Sequence, residues 1–266
     1  MIVVRSCEGF EELDSCVQLQ VDTWNVDSWE VTPRKTFVLA QKIGGQVLGA
    51  FDTALGSTSP TKGCQSLVGY LMALPGVKSE NGEARPYLHS HMLAVRASHR
   101  NRGLGSQLKR EQRLEALRRG IRRIEWTFDP LEIKNAYLNI HKLGAVVSAY
   151  AADFYGVSSS RLQGGLPTDR LIAEWRLDSP RARAACEGLP HPMYRIEDRI
   201  VVPGLIYQWK ATDAGRERAM AVQSENRHRF QEAFSRGLAV LGFVRDAEGN
   251  GSFELGQASQ LEPDSN

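Results

Sequence analysis

Between residues 96 and 105, arginine and glycine are packed together: Arg96, Arg100 and Arg102 precede Gly103 and Gly105, and a helix-like pattern follows. Three chemistries suit that composition. Amides exposed by the glycines, with arginines beside them, can cradle a phosphate. The same cations can track a nucleic-acid backbone. Alternatively, a tight turn simply precedes a solvated basic helix. Residues 96–123 hold ten Lys or Arg against two Glu, a local +8, while the whole chain carries only +2. A nucleic-acid-binding face usually spreads its charge more widely. The concentrated patch suits a small polyanion better, and no nucleic-acid partner is expected.

His89 and His91 form a second group. Strand alternation puts both on one face, together with Leu93 and Val95. A neutral imidazole with a pKa near 6.5 suits a base for an amine. A His-x-His pair also suits a metal, but no third ligand follows at a recognisable spacing, so no metal is expected. Asp129 stands before Pro130 at a strand end, and Asp153 and Tyr155 lie in "DFYG". These three and His89 are the candidates for contacting a substrate; salt-bridged loop structure is the alternative for the aspartates.

These residues need elements to hold them. "MIVVRSC" reads as a strand and "FEELDSCVQLQVDTW" as an amphipathic helix. "TFVLAQKIGGQVLGAFD" reads as a hairpin around Gly44-Gly45. "SLVGYLMAL" and "PYLHSHMLAV" read as strands separated by a turn-rich "PGVKSENGEAR". A helix follows over about Leu104–Gly120, with Leu104, Leu108, Leu114 and Leu117 on its apolar side and polar Gln112 breaking the row. "IRRIEWTFDP" is a strand and "LEIKNAYLNIHKLGA" a helix stopped by Gly144. "VVSAYAADFYG" and "RLIAEWRLD" are strands. "SPRARAACEGLPHP" changes the texture near Ser179, which predicts a boundary. Beyond it a strand, a long helix and a strand pair suggest a small α/β module over residues 179–258, with a frayed tail at 259–266.

Composition sets limits. With 266 residues, 42% hydrophobic and 24% charged, the chain reads as a globular protein. No apolar run approaches the ~20 residues of a membrane span. The start "MIVVRSCEGFEEL" lacks a positive n-region and a long apolar run, so no secretion signal is expected. Cys7, Cys16, Cys64 and Cys186 are widely spaced and read as free thiols, so a cytoplasmic location is expected.

The glycine stretch fails the dinucleotide fingerprint, because Leu108 stands where its third glycine belongs, and no Gly-Lys-Ser/Thr makes a P-loop. It matches R/Q-x-x-G-x-G/A, as Arg100-Asn101-Arg102-Gly103-Leu104-Gly105. Here the chain resembles the GNAT superfamily of acyl-CoA-dependent N-acetyltransferases over roughly residues 1–178. The second helix adds Ala136, Lys142, Leu143 and Gly144 to the resemblance. The run from "HSHMLAV" and "RNRGLG" through "WTFDPLE", "KLGA" and "DFYG" to "LPTDRL" is similar to a bacterial branch of predicted GNAT acetyltransferases.

The resemblance implies an α/β (α+β) fold: a mixed, largely antiparallel central sheet with splayed strands and flanking helices. It implies acetyl-CoA or another acyl-CoA as co-substrate, held by Leu93, Ala94, Val95, Arg100, Asn101, Arg102, Gly103, Leu104, Gly105, Ser106 and Asn135. The acceptor would be an amine of a small molecule or peptide; no membrane partner is implied, and a homodimer is allowed. The family's usual tyrosine acid falls at Ile140 in this chain. That leaves His91, Tyr137 and His141 as the candidate acid–base residues. It also keeps a second reading open, a non-catalytic acyl-CoA-binding protein.

Overall fold

The computed structural model describes residues 1–25, 27–55, 64, 66–80 and 82–261. The tail expected at 259–266 lies largely outside these residues. The chain divides into two compact units, Met1–Glu125 and Trp126–Asn266.

In the first unit, β1 (Ile2–Ser6), β2 (Gln46–Asp52), β3 (Leu67–Glu80) and β4 (Glu83–Val95) pair antiparallel in chain order. β5 (Arg123–Phe128) then begins parallel to β4, with Leu88 opposite Ile124 and His89 opposite Glu125. Helices α1 (Gly9–Trp24) and α2 (Arg34–Lys42) bury Leu13, Cys16, Leu19, Phe37 and Ala40 against Val47, Tyr70 and Met72. A second cluster holds Leu48, Ala50, Val68 and Leu71 with Leu104 and Leu108 of α3 (Leu104–Arg118).

Two expectations are corrected here. "TFVLAQK" is not the first arm of a hairpin but helix α2. Phe37 and Ala40 recur at i,i+3 and are both fully buried, so helical burial outweighs the β-rich composition. Gly44 and Gly45 end that helix; a β-carbon on Gly45 would stand 2.3 Å from the Ala73 carbonyl oxygen. "PGVKSE" is not a turn but the second half of β3. The register with β2 ends at Ala73, so Pro75 is paired on one side only, opposite Leu88 of β4.

In the second unit, β6 (Val146–Ala151), β7 (Arg170–Arg176), β8 (Asp198–Val202), β9 (Leu238–Arg245) and β10 (Gly251–Gln257) form antiparallel pairs in the order β7-β6-β9-β10-β8. Helix α4 (Ile133–Ala136) continues as a π-helical turn, Tyr137–Lys142. It is followed by α5 (Pro180–Glu187), α6 (Ile206–Lys210) and α7 (Asp213–Ser235). Phe230 of α7 packs edge-on against Phe253, which packs in turn against Phe243. The boundary expected near Ser179 marks the cap of α5, where Ser179 Oγ accepts from Ala182 N and Pro180 takes the first helical position. The compact units divide between Glu125 and Trp126, and β9 pairs with β6 across residue 179.

Candidate functional site

The glycine stretch forms a short 3-10 turn (Ala97–His99), a bend and the start of α3. Arg100 Nε donates to the Val95 carbonyl at 2.9 Å, and Arg96 N to that of Val68 at 2.8 Å, folding the turn back onto the strand ends. His99 is buried beneath it, 3.3 Å from Asp52. Asn101 and Gly103 both have positive φ, 61° and 79°. No side chain caps α3, whose first intrahelical bond runs from Gln107 N to the Gly103 carbonyl. The amides of Leu104, Gly105 and Ser106 are therefore helix-start donors without helical partners, with Asn101, Arg102 and Gly103 exposed beside them. The arrangement offers backbone donors and a positive helix end, with no acid in the first turn, which is the chemistry an anion cradle needs. Gly103 is required by its φ rather than by space, since a β-carbon there meets nothing within 4 Å.

β4 leads into this turn and carries an irregularity. Met92 pairs with Met72 and Ser90 with Ala73, so His91 is an extra residue with no partner on β3. The bulge resets the alternation. His89 lies opposite Leu74, which packs into the first core cluster, whereas Leu93 and Val95 pack into the second. The expectation that His89 shares a face with Leu93 and Val95 is corrected on this ground. The histidines do stay together, with ring centroids 6.3 Å apart. Burial holds the pKa of both below the usual 6.5, and for His89 the neighbouring His91, Lys109 and Lys78 add to the effect. Both imidazoles are thus neutral near pH 7. The register between β4 and β5 stops at His89↔Glu125, so the stretch holding Leu93, Ala94 and Val95 continues beyond it with β3 as its ladder partner.

Behind the bulge lies a lysine that sequence reasoning placed among the solvated charges of the helix. Lys109 is buried, with Nζ 2.8 Å from Ser90 Oγ and 3.1 Å from Gln112 Oε1. Burial pushes its ammonium down to about 7. The buried side of α3 is Leu104, Leu108, Lys109, Gln112 and Ala116, while Leu114, expected there, is half exposed. Gln112 breaking the leucine row was the available signal. Outside this network, Lys78 pairs with the buried Glu125 carboxylate opposite His89.

The remaining candidates belong to the second unit. Asn135 is exposed on the first turn of α4. Ile140 is fully buried and offers no proton. Tyr137 stacks on His141 with centroids 4.6 Å apart and has the Arg245 guanidinium 4.3 Å from its ring centre; His141 in turn meets His191 at 5.1 Å. Asp129 receives Lys210 Nζ at 2.9 Å and the Leu131 amide at 2.8 Å, so its oxygens are engaged. Asp153 sits at φ 45° and accepts from Thr168. Tyr155 Oη is 2.9 Å from Thr127 Oγ1. Behind them, buried Asp169 binds Arg227 through both oxygens and accepts from the Tyr150 hydroxyl and the Asp153 amide.

Residues 11–138 match the model of the acetyltransferase (GNAT) family. No curated protein matches the sequence. A solved structure from Acinetobacter baylyi ADP1 is 15% identical, with a TM-score of 0.51 over 68% of this chain and 94% of that one. Arabidopsis thaliana NAA60, in complex with acetyl-CoA, is 14% identical, with a TM-score of 0.50 over 66% of this chain and 99% of that one. At these identities the likeness is one of fold.

Proposed function

We propose that this chain, residues 11–138 of which match the acetyltransferase (GNAT) family model, moves an acetyl or other acyl group from acyl-CoA to an amine of a small molecule or peptide by direct attack. One observation carries the reading: the uncapped start of α3, entered through Gly103 at φ 79°, with Arg100 and Arg102 beside it. The donor set fits a pyrophosphate, which presents several acceptor oxygens and negative charge to amides and guanidinium groups.

When bound, acyl-CoA supplies the acyl group activated as a thioester. The chain's own residues do the rest. Amides of Leu104, Gly105 and Ser106 with Arg100, Asn101 and Arg102 hold the phosphates. A backbone N–H in the Leu93–Val95 stretch donates to the thioester carbonyl, where negative charge develops as the amine attacks. The C–N bond forms, the C–S bond breaks, and the amine's proton passes to the neutral imidazole of His91. The departing thiolate is protonated from solvent water, and the His91 imidazolium returns its proton to solvent.

The test is release of free CoA thiol from acetyl-CoA across a panel of small-molecule and peptide amines, with mass spectrometry of the acceptor. Amine-dependent release with an acylated product supports acyl transfer. The buried Ile140 also favours a second reading, a non-catalytic acyl-CoA-binding protein. Saturable acetyl-CoA binding with no turnover over the whole panel selects that second reading.

A further inference from the structure

The second unit contains a cavity of about 340 Å³ that the acyl-transfer chemistry does not use. Its walls come from the start of α4 (Ile133, Lys134, Tyr137), from α6 (Tyr207) and from the end of β9 with the turn after it (Arg245, Asp246). The volume lies within the range of pockets that take small molecules.

The lining is unusual in its hydrogen-bonding capacity. Lys134 and Arg245 are exposed cations, and neither forms a salt bridge among the described residues. Lys134 brings three donors and Arg245 five, with no acceptor on either side chain. Tyr207 Oη accepts from the Lys134 amide at 3.4 Å, which leaves its O–H to donate outward. Burial, with Glu132 nearby, pushes that phenol up to about 12, so it keeps its proton. The Tyr137 hydroxyl supplies another donor. The one acid in the wall is already spent: Asp246 Oδ1 accepts from the Asn250 amide and Oδ2 from the Asn250 side chain, each at 2.8 Å. The polar groups of the cavity are therefore mainly donors, two of them cationic, with the Arg245 guanidinium over the Tyr137 ring, beside an apolar residue and two aromatic rings.

We infer that this cavity binds a small molecule with an apolar or aromatic body and a single oxyanion head, a carboxylate or a phosphate monoester. The head meets Lys134, Arg245 and the Tyr207 hydroxyl; the body lies along Ile133 and the tyrosine rings. The wall carries two cations, Lys134 and Arg245, against one carboxylate, Asp246, a balance that favours an anionic head.

The experiment is isothermal titration of the full chain with two probes, phenylacetate and phenyl phosphate. It uses the wild type, Lys134→Gln, Arg245→Gln and, as a control for the α3 cradle, Gly103→Val. The expected result is 1:1 binding of at least one probe, weakened about tenfold or more by Arg245→Gln and by Lys134→Gln and unchanged in Gly103→Val. Binding of phenylacetate alone identifies a carboxylate head, and of phenyl phosphate alone a phosphate head. The inference is overturned if neither probe binds at millimolar concentration, if both glutamine variants bind as the wild type does, or if Gly103→Val abolishes binding. Loss of acetyl-CoA binding in Gly103→Val, with probe binding intact, separates this site from the acyl-CoA reading. Circular dichroism of each variant confirms that it has folded.

Discussion

Lys109 Nζ, in the middle of α3, donates to Ser90 Oγ of β4 across 2.8 Å. The helix that starts at the glycine turn is thereby tied to the strand that carries the histidine bulge. The tie has a pH signature. Burial pushes the lysine down from 10.5 to about 7. Between those values the unfolded chain holds a proton that the folded chain lacks, so this group makes stability rise with pH across the window. Lys109→Met keeps the length and removes the amine. Its melting temperature should therefore depend less on pH between 7 and 10.5, and near pH 7 it should equal or exceed that of the wild type. A variant as pH-dependent as the wild type over that window contradicts a neutral buried amine.

His91 should set the acid limb of turnover. Its pKa lies below the usual 6.5 because burial disfavours the imidazolium. The base form therefore persists below pH 6.5, and the rate falls only as pH drops through the lowered value. On an amine that the wild type acylates, His91→Gln should reduce kcat by at least about tenfold, with little change in the affinity for acetyl-CoA. Its profile should lose that limb. Unchanged kcat and an unchanged profile would remove His91 from the mechanism.

Asp169 should be a stability residue of the second unit. Its carboxylate is fully buried and receives Arg227, the Tyr150 hydroxyl and the Asp153 amide. Asp169→Asn removes the charge and leaves the partly buried Arg227 unpaired. The expected loss is on the order of 3–5 kcal/mol, read from urea unfolding. A loss under about 1 kcal/mol would mean that the network contributes no more than a surface pair.

Gly103 at φ 79° should tolerate substitution badly for conformational reasons alone. Valine there should cost roughly 1–2 kcal/mol of stability, although a β-carbon meets open space. Equal melting temperatures for Gly103→Val and the wild type would mean that the turn relaxes to another conformation.

The elements around the chemistry were readable where pattern and burial agree. The Arg100–Gly105 stretch, its preceding strand and its following helix stand as expected, because glycine placement and the strand-to-helix transition are local. α2 was misread because Thr36, Phe37 and Val38 have β character, while the burial of Phe37 and Ala40 at helical spacing depends on tertiary packing. The bulge at His91 was invisible, since it arises from the β3 register and nothing in "HSHMLAV" marks it. Lys109 was hidden by its type: a lysine among arginines reads as solvated until Ser90 and Gln112 are seen to receive it. The candidate residues of the second unit were named singly, but the shared partners Thr168 and Asp169 emerge only from the fold.

The most direct test of the account is calorimetric titration of acetyl-CoA into the wild type and into Gly103→Val. The start of α3 is the feature from which the whole functional reading follows, and this substitution alters its backbone without removing a charge. The account predicts saturable 1:1 binding to the wild type, with a matching rise in melting temperature, and loss of both in a folded Gly103→Val. No binding to the wild type, or equal binding to the two proteins, would contradict it.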